Sequence, residues 1–349
     1  MAKLIEPWMA LAVAKKFIGD DDLHDSYLME RLHRDLERAV PRSEDLVEAA
    51  SGIPRPSPVR WEIIGRERWV RANVNSMTTM LGPLADRLGR RLDAAPWPAR
   101  LAQRTAVSVE MGVLLGYVSK RVLGQYDLLV PEGEGAAPLY FVGPNLVETE
   151  RRHGFVPEDF SLWVAVHEVT HRFQFEGVPW LRPRFLELVH AYLGSVELDA
   201  KGLAQRLGSA ARKMISKETP VEERNPIYLL ASDEQKGLLD QIQSLMAVVE
   251  GHGNYVMDAV GAEVIPSFGR MRAVFQRRRQ QTTWFQKVLN QAIGLEMKMR
   301  QYEVGQRFCE TVAKIGGPQA LAQLWTDRDR FPSMSELREP EKWLNRVAA

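Results

Sequence analysis

The apolar residues of the chain recur mostly at helical spacing, so the sequence predicts a largely helical protein. The clearest stretch begins near Asp159, the predicted N-cap, and ends at Gly177 and Pro179. The residues that recur in it at helical spacing are Leu162, Trp163, Val166, Thr170 and Phe173. Because the stretch is apolar almost all round, we expect this helix to be buried.

Similar patterns predict helices along much of the rest of the chain. They cover approximately residues 8–17, 28–50, 69–92, 98–124, 184–193, 197–216, 233–260, 283–315, 317–326 and 335–347. Ser333 and Glu336 form a predicted capping box before the last helix. Small residues at Ala106, Gly112 and Gly116 predict close packing against a neighbour, for which the helix after Asp159 is a candidate.

Three short stretches read as strands: residues 59–64, 126–130 and 139–142. The last two are expected to pair as a hairpin, and residues 139–142 offer an edge on which an extended peptide could bind. The predicted fold class is therefore mainly α with a small β-sheet. We expect an N-terminal subdomain, residues 1–177, with the sheet and the buried helix, followed by a helical C-terminal subdomain, residues 178–349.

Composition places the chain among ordinary globular proteins. Of 349 residues, 45% are hydrophobic and 26% charged, and 46 Lys+Arg against 45 Asp+Glu give a net charge of +1. This balance argues against a nucleic-acid partner. No apolar run is long enough to span a membrane, and the single cysteine, Cys309, fits a reducing compartment. We therefore expect a cytoplasmic protein.

The buried helix contains the motif His-Glu-Val-Thr-His, residues 167–171. Residues four apart lie on one face of a helix, so His167 and His171 can offer two imidazole nitrogens to one metal ion. Glu168 remains close enough to serve as a general base. The structural alternative is a pair of buried histidines hydrogen-bonded to protein groups, but a metal would satisfy both histidines and the glutamate.

A catalytic zinc ion usually has three protein ligands, so one more is needed. Our candidate is Glu250, in a buried-looking run where a lone carboxylate would be costly. Gly251 and Gly253 beside it suggest a close approach between helices. The alternatives are a buried Glu250–arginine pair, or Glu187 as a weaker candidate ligand on an amphipathic face.

The group that stabilises the transition state stays open between His252, Tyr255 and Tyr302. His252 could also be a metal ligand or a plain core histidine. Asn254 and Asp258 could orient a ligating histidine through its free N–H.

Several stretches together resemble a known family. They are residues 163–180 (WVAVHEVTHRFQFEGVPW), 69–73, 122–127, 144–145, 250–252, 256–258 and 298–302, with Gly305 and Phe308. The chain resembles the zincin-like metallopeptidases of a bacterial hydrolase family, part of which is associated with deazaflavin coenzyme biosynthesis. The resemblance implies a glutamate-type zincin fold, with Zn²⁺ held by His167, His171 and Glu250. Asn254 departs from it, since many glutamate-type zincins carry an aspartate there.

The leading functional hypothesis is a zinc-dependent metallopeptidase acting on a peptide or protein substrate. Zinc would activate a water molecule, and Glu168 would take its proton and pass it to the leaving amine. Zinc and one donor, His252, Tyr255 or Tyr302, would stabilise the oxyanion. The alternatives are a non-peptide amide hydrolase linked to deazaflavin coenzyme metabolism, and a non-catalytic zinc-containing binding protein.

Overall fold

The computed structural model describes residues 5–19, 26–86, 96–128, 138–195, 231–280 and 295–348, without the side chains of residues 278–280 and 295–302. The chain divides into two compact units. The first comprises Met1–Arg182 and Gly253–Gln281, and the second Pro183–His252 and Thr282–Ala349. The division after residue 177 that we expected from the sequence stays a prediction.

Helices make up most of the described chain, which confirms the predicted fold class. Up to residue 280 they are α1 (Pro7–Ile18), α2 (Tyr27–Ser51), α3 (Arg66–Met80), α4 (Trp97–Ser119), α5 (Gly143–His153), α6 (Pro157–Gly177), α7 (Leu181–Ser195), α8 (Asp233–Val264) and α9 (Phe268–Gln280). The predicted helix over residues 197–216 lies outside the described residues. Helix α5 was not predicted, because Gly143 and Pro144 suggested the end of a strand. Proline at a first helical turn instead favours a helix start.

The C-terminal part continues with α10 (Leu295–Ala322), two short 3₁₀ turns (Gln323–Trp325 and Arg328–Arg330), α11 (Met334–Arg338) and α12 (Pro340–Ala348). The capping box is confirmed, since Ser333 N–H donates to the Glu336 carboxylate at 2.8 Å and the Ser333 hydroxyl accepts from Glu336 N–H. The predicted helix over residues 335–347 is in fact two, because Pro340 begins a new one.

The small sheet has the strand order β1 (Trp61–Ile64), β3 (Leu139–Val142), β2 (Gly124–Tyr126). β3 pairs parallel with β1 and antiparallel with β2, so the predicted pairing is confirmed. The partner strand is Gly124–Tyr126, however, which lies earlier in the chain than the predicted residues 126–130. Our expectation that residues 139–142 form an exposed edge is wrong. β3 is the central strand, and its backbone groups are shared between two neighbours.

The two glycines of the small-residue stripe on α4 pack against α1, and not against α6 as the sequence suggested. A methyl group at Gly112 would lie 2.5 Å from the Ala10 carbonyl oxygen, and one at Gly116 would lie 3.0 Å from that of Ala14. Ala106, the third residue of that stripe, is exposed. The sequence thus predicted the close helix contact but not the partner helix.

Helix α6 is held to the rest of the first unit by a buried arginine. Arg172 is fully buried; it donates to Glu44 of α2 at 2.7 Å, to Glu176 at 3.1 Å, and to the Ser57 carbonyl oxygen. Buried charges require such partners, because leaving water is costly. This ion-pair group fixes the helix that carries the His-Glu-x-x-His motif.

Replacing Arg172 with leucine should lower the free energy of unfolding by about 3–5 kcal/mol, since two carboxylates would be left without their cation. Urea unfolding at pH 7 measures this loss. Arg71→Leu, which removes an exposed ion pair with Glu67, is the control and should change little. Equal losses in the two variants would contradict the prediction.

Candidate metal centre

Helix α6 begins at Pro157, directly after Val156, which is the N-cap in an extended conformation. Asp159, our predicted N-cap, instead lies in the first turn. Its carboxylate accepts a hydrogen bond from Ser267 N–H at 3.0 Å. A carboxylate in this turn also interacts favourably with the helix dipole. The helix then continues to Gly177, so the whole motif lies on one element.

The two motif histidines face each other on one side of α6. Their Nε2 atoms are 3.2 Å apart, and the rings meet edge to face with centroids 4.6 Å apart. Two nitrogens bound to one tetrahedral zinc ion at about 2.0–2.1 Å would lie roughly 3.3–3.4 Å apart. The observed spacing between His167 and His171 therefore fits two ligands of one zinc ion.

Glu250 supplies the third candidate ligand. The ligand atoms of His167, His171 and Glu250 all lie within 4.8 Å of one another. In the part of the chain that the structure describes, no other group of histidine, cysteine and acidic side chains meets this criterion. Two imidazoles and one carboxylate form a donor set known for catalytic zinc, so the residues present fit the ion.

Gly253 lies three residues after Glu250 on the same continuous helix, α8. A methyl group at this position would lie 3.1 Å from His171 Cε1 and 3.5 Å from His167 Cε1. At the other glycine, Gly251, a methyl group would lie 2.2 Å from the carbonyl carbon of Gly305 in α10. The predicted reason for both glycines, a close approach of another helix, is confirmed.

Glu168, the predicted general base, is buried beneath the first residue of β2. Only 7% of its surface is exposed. A methyl group at Gly124 would lie 2.6–2.9 Å from the Cγ, Cδ and Oε1 atoms of Glu168. The absence of a side chain at Gly124 therefore leaves room for the Glu168 carboxyl group. Gly124 was not predicted as a site residue, because glycine carries no reactive group.

The backbone N–H and C=O groups of Gly124 lie on the side of β2 that faces away from β3. On its two sides, Leu123 C=O accepts from Val142 N–H at 2.8 Å, and Asp127 N–H donates to Pro138 C=O at 3.2 Å. Since pairing alternates along an antiparallel strand, the N–H and C=O of Gly124 face away from β3. Among the described strands β2 is thus the edge beside Glu168.

Strand β2 is anchored at both ends. Asn145 donates to the carbonyl oxygens of Ser119 and Val122, each at 2.6 Å, and accepts from Arg66 Nε at 2.7 Å. These bonds hold the chain just before β2.

At the other end, the Tyr126 ring stacks on Phe175 of α6, with centroids 6.0 Å apart and planes 4° apart. Burial, followed by the charge of Glu176, raises the pKa of Tyr126. Its phenol therefore stays protonated, and the stacking fixes the strand against the helix that carries the two candidate histidine ligands.

His252, one of our predicted catalytic residues, is not part of the group of His167, His171 and Glu250. His252 is fully buried, and its ring packs edge-on against Trp325, with centroids 4.8 Å apart. Two residues beyond Glu250, it points to a different side of the helix, which favours its reading as a core histidine. Tyr302 lies in α10, but its side chain is outside the described part of the structure.

The other candidates have different partners. Glu187 is exposed and accepts from Arg184 at 2.9 Å; that hydrogen bond lowers the pKa of Glu187. Asp258 forms an ion pair with Arg272 at 3.1 Å. Neither carboxylate belongs to the group of ligand atoms formed by His167, His171 and Glu250.

Residues 5–344 match the model of a family described as zincin-like metallopeptidases. The chain belongs to this family. This zincin-like chain is also similar to a protein from Chloroflexus aurantiacus whose crystal structure is known. That protein is provisionally named a hydrolase and is described as having a novel fold. The two are 29% identical with a TM-score of 0.71, over 99% of each chain.

Family and neighbour together point to a hydrolase with a metal, typically zinc. No curated protein matches the sequence of this zincin-like chain. The association with deazaflavin coenzyme biosynthesis stays a prediction. In the described regions, no helix is both long and apolar enough to cross a membrane.

Gly124→Ala should lower the free energy of unfolding by about 1–3 kcal/mol, because the new methyl group overlaps the buried Glu168 side chain. In a Glu168→Ala background the same change should cost less. Chemical denaturation of the four proteins in this double-mutant cycle measures the difference. Gly237→Ala, on α8 with open space around it, is the control and should not destabilise. Additive losses would show that Gly124 and Glu168 do not interact.

Proposed function

We propose that the chain is a zinc-dependent peptidase with His167, His171 and Glu250 as metal ligands and Glu168 as general base. The convergence of the three ligand atoms carries this proposal. Two observations support it: Glu168 lies next to a ligand on the same helix, and the sheet edge at β2 passes directly over it. The family description agrees with this reaction class.

The His167 and His171 nitrogens and one Glu250 carboxylate oxygen would hold the ion. When bound, zinc supplies Lewis-acid chemistry: it lowers the pKa of a water molecule and polarises a carbonyl group. A single carboxylate among the ligands leaves the centre with net positive charge. That charge favours the approach of a carbonyl oxygen and stabilises negative charge that develops on it.

Glu168 moves the proton in this mechanism. Its carboxylate accepts a proton from water as the oxygen adds to the peptide carbonyl carbon, and then gives it to the amine nitrogen as the C–N bond breaks. Burial of Glu168 under β2 limits the positions that its carboxyl group can take. A general base works only when it is held within hydrogen-bond distance of the proton it removes.

The peptide substrate would bind in an extended form along β2. The outward N–H and C=O of Gly124 can pair with the substrate backbone, as in β-strand addition. We expected residues 139–142 to have this role, but β3 is the central strand and both of its edges are paired. Pairing at Gly124 would place the substrate backbone near Glu168, because the two residues are in contact.

Zinc content tests the ligand set. Wild type purified without a metal-chelating tag should contain about one zinc ion per chain, and Glu250→Ala should lose most of it, because two ligands hold zinc far more weakly than three. Elemental analysis provides the measurement. Glu187→Ala, at an exposed glutamate in its own ion pair, should keep the zinc. Retention of zinc by Glu250→Ala would mean that the third ligand lies elsewhere.

Glu168→Gln should keep zinc but slow peptide hydrolysis by about 10²–10⁴-fold, because the amide cannot accept the proton. Cleavage of a broad peptide library by zinc-loaded protein measures this. Glu158→Gln, an exposed carboxyl on the same helix, is the control. Cleavage by Glu168→Gln at the wild-type rate would refute the mechanism.

The same assay separates the other hypotheses. Wild-type activity on small amides without activity on peptides would favour the non-peptide amide hydrolase. Zinc binding without any hydrolysis would favour a binding protein.

A further inference from the structure

Gln174 is a fully buried polar residue on α6, three residues after His171. Its Oε1 atom lies 2.9 Å from His171 Nδ1. A carbonyl oxygen can only accept a hydrogen bond, so Nδ1 of His171 carries the proton and donates it. The spacing of three residues brings both side chains to the same face of the helix.

This hydrogen bond determines which histidine nitrogen can bind a metal. A neutral imidazole has one N–H, so a proton on Nδ1 leaves a lone pair on Nε2. The Nε2 atom is the one that lies 3.2 Å from His167 Nε2. The contact also restrains rotation of the ring, because Oε1 holds one of its edges.

We propose that Gln174 is a positioning residue, which fixes His171 in the tautomer and orientation that bind the metal. The proposal rests on the metal ligands of the proposed function but not on the reaction or the substrate. Residues that hold the free N–H of a ligating histidine typically affect metal affinity about 10–100-fold.

A purely structural role for Gln174 makes a different prediction. Buried amides need partners in any protein, and the ring could simply provide one. In that case, removal of the amide would lower stability but leave zinc affinity unchanged. Thr170 is an example of a purely structural role on the same helix. It is fully buried, and its hydroxyl donates to the Val166 carbonyl oxygen of the preceding turn at 2.7 Å.

The first test measures zinc affinity of the purified full-length chain by competition with a chromophoric chelator. Gln174→Leu should bind zinc about 10–100-fold more weakly than wild type. The absorption spectrum of the Co²⁺-loaded variant should also differ, because His171 is no longer held in place. Thr170→Val is the matched control, which removes a buried hydroxyl from the same helix, and should keep wild-type affinity.

A second variant covers the case in which Gln174→Leu does not fold. Gln174→Glu keeps an accepting oxygen and adds a negative charge, which raises the basicity of the histidine. It should bind zinc at least as tightly as wild type.

Two outcomes would overturn the proposal: wild-type affinity and Co²⁺ spectrum in Gln174→Leu, or equal weakening in Gln174→Leu and Thr170→Val. A tenfold loss in Gln174→Glu would do so as well. Absence of zinc binding by wild type would overturn both this inference and the proposed function. Zinc binding that depends on Gln174, without peptide cleavage, would support this inference and contradict the proposed function alone.

Discussion

Every polar group on a buried helix must find a partner, and this constraint shapes the structure around α6. The helix is buried along most of its length but carries two histidines, a glutamate, an arginine and a glutamine in eight residues. Arg172 is satisfied by Glu44 and Glu176, and Gln174 by His171. The Nε2 atoms of the two histidines converge on one point, where a cation satisfies both lone pairs. The structural support of α6 and two of the three candidate metal ligands thus come from neighbouring residues of one helix.

The elements around α6 are positioned by short contacts that glycine permits. Gly124 brings β2 onto Glu168, and Gly253 brings α8 onto the histidine rings. Each contact occupies space beside a side chain of the candidate centre and limits the movement of that side chain. A buried base with restricted movement suits proton transfer, since its distance to the reacting atoms varies little. The candidate centre thus depends on backbone approach as much as on its reactive side chains.

The sequence predicted the features that depend on local pattern. The motif helix, strand 139–142, the capping box at Ser333 and the reason for Gly251 and Gly253 follow from spacing and residue type, and the structure confirms them. The candidate ligand group was predicted from the expected burial of a lone glutamate together with the family resemblance, and it stays a prediction. Sheet order could not be predicted, since the pairing of β1 with β3 depends on contacts between distant parts of the chain. For the same reason the stripe at Gly112 indicated a close neighbour but not that α1 is that neighbour.

Gly124 has a consequence for how the chain can vary. Gly124 contributes by having no side chain, so any other amino acid would put atoms where the Glu168 carboxyl group lies. A survey that ranks positions by side-chain chemistry would pass over it. In a saturation-mutagenesis experiment, we expect this position to tolerate as few replacements as the metal ligands do. Tolerance to substitution would then identify residues that leave space for the candidate active site, whereas chemical reactivity identifies only its reactive side chains.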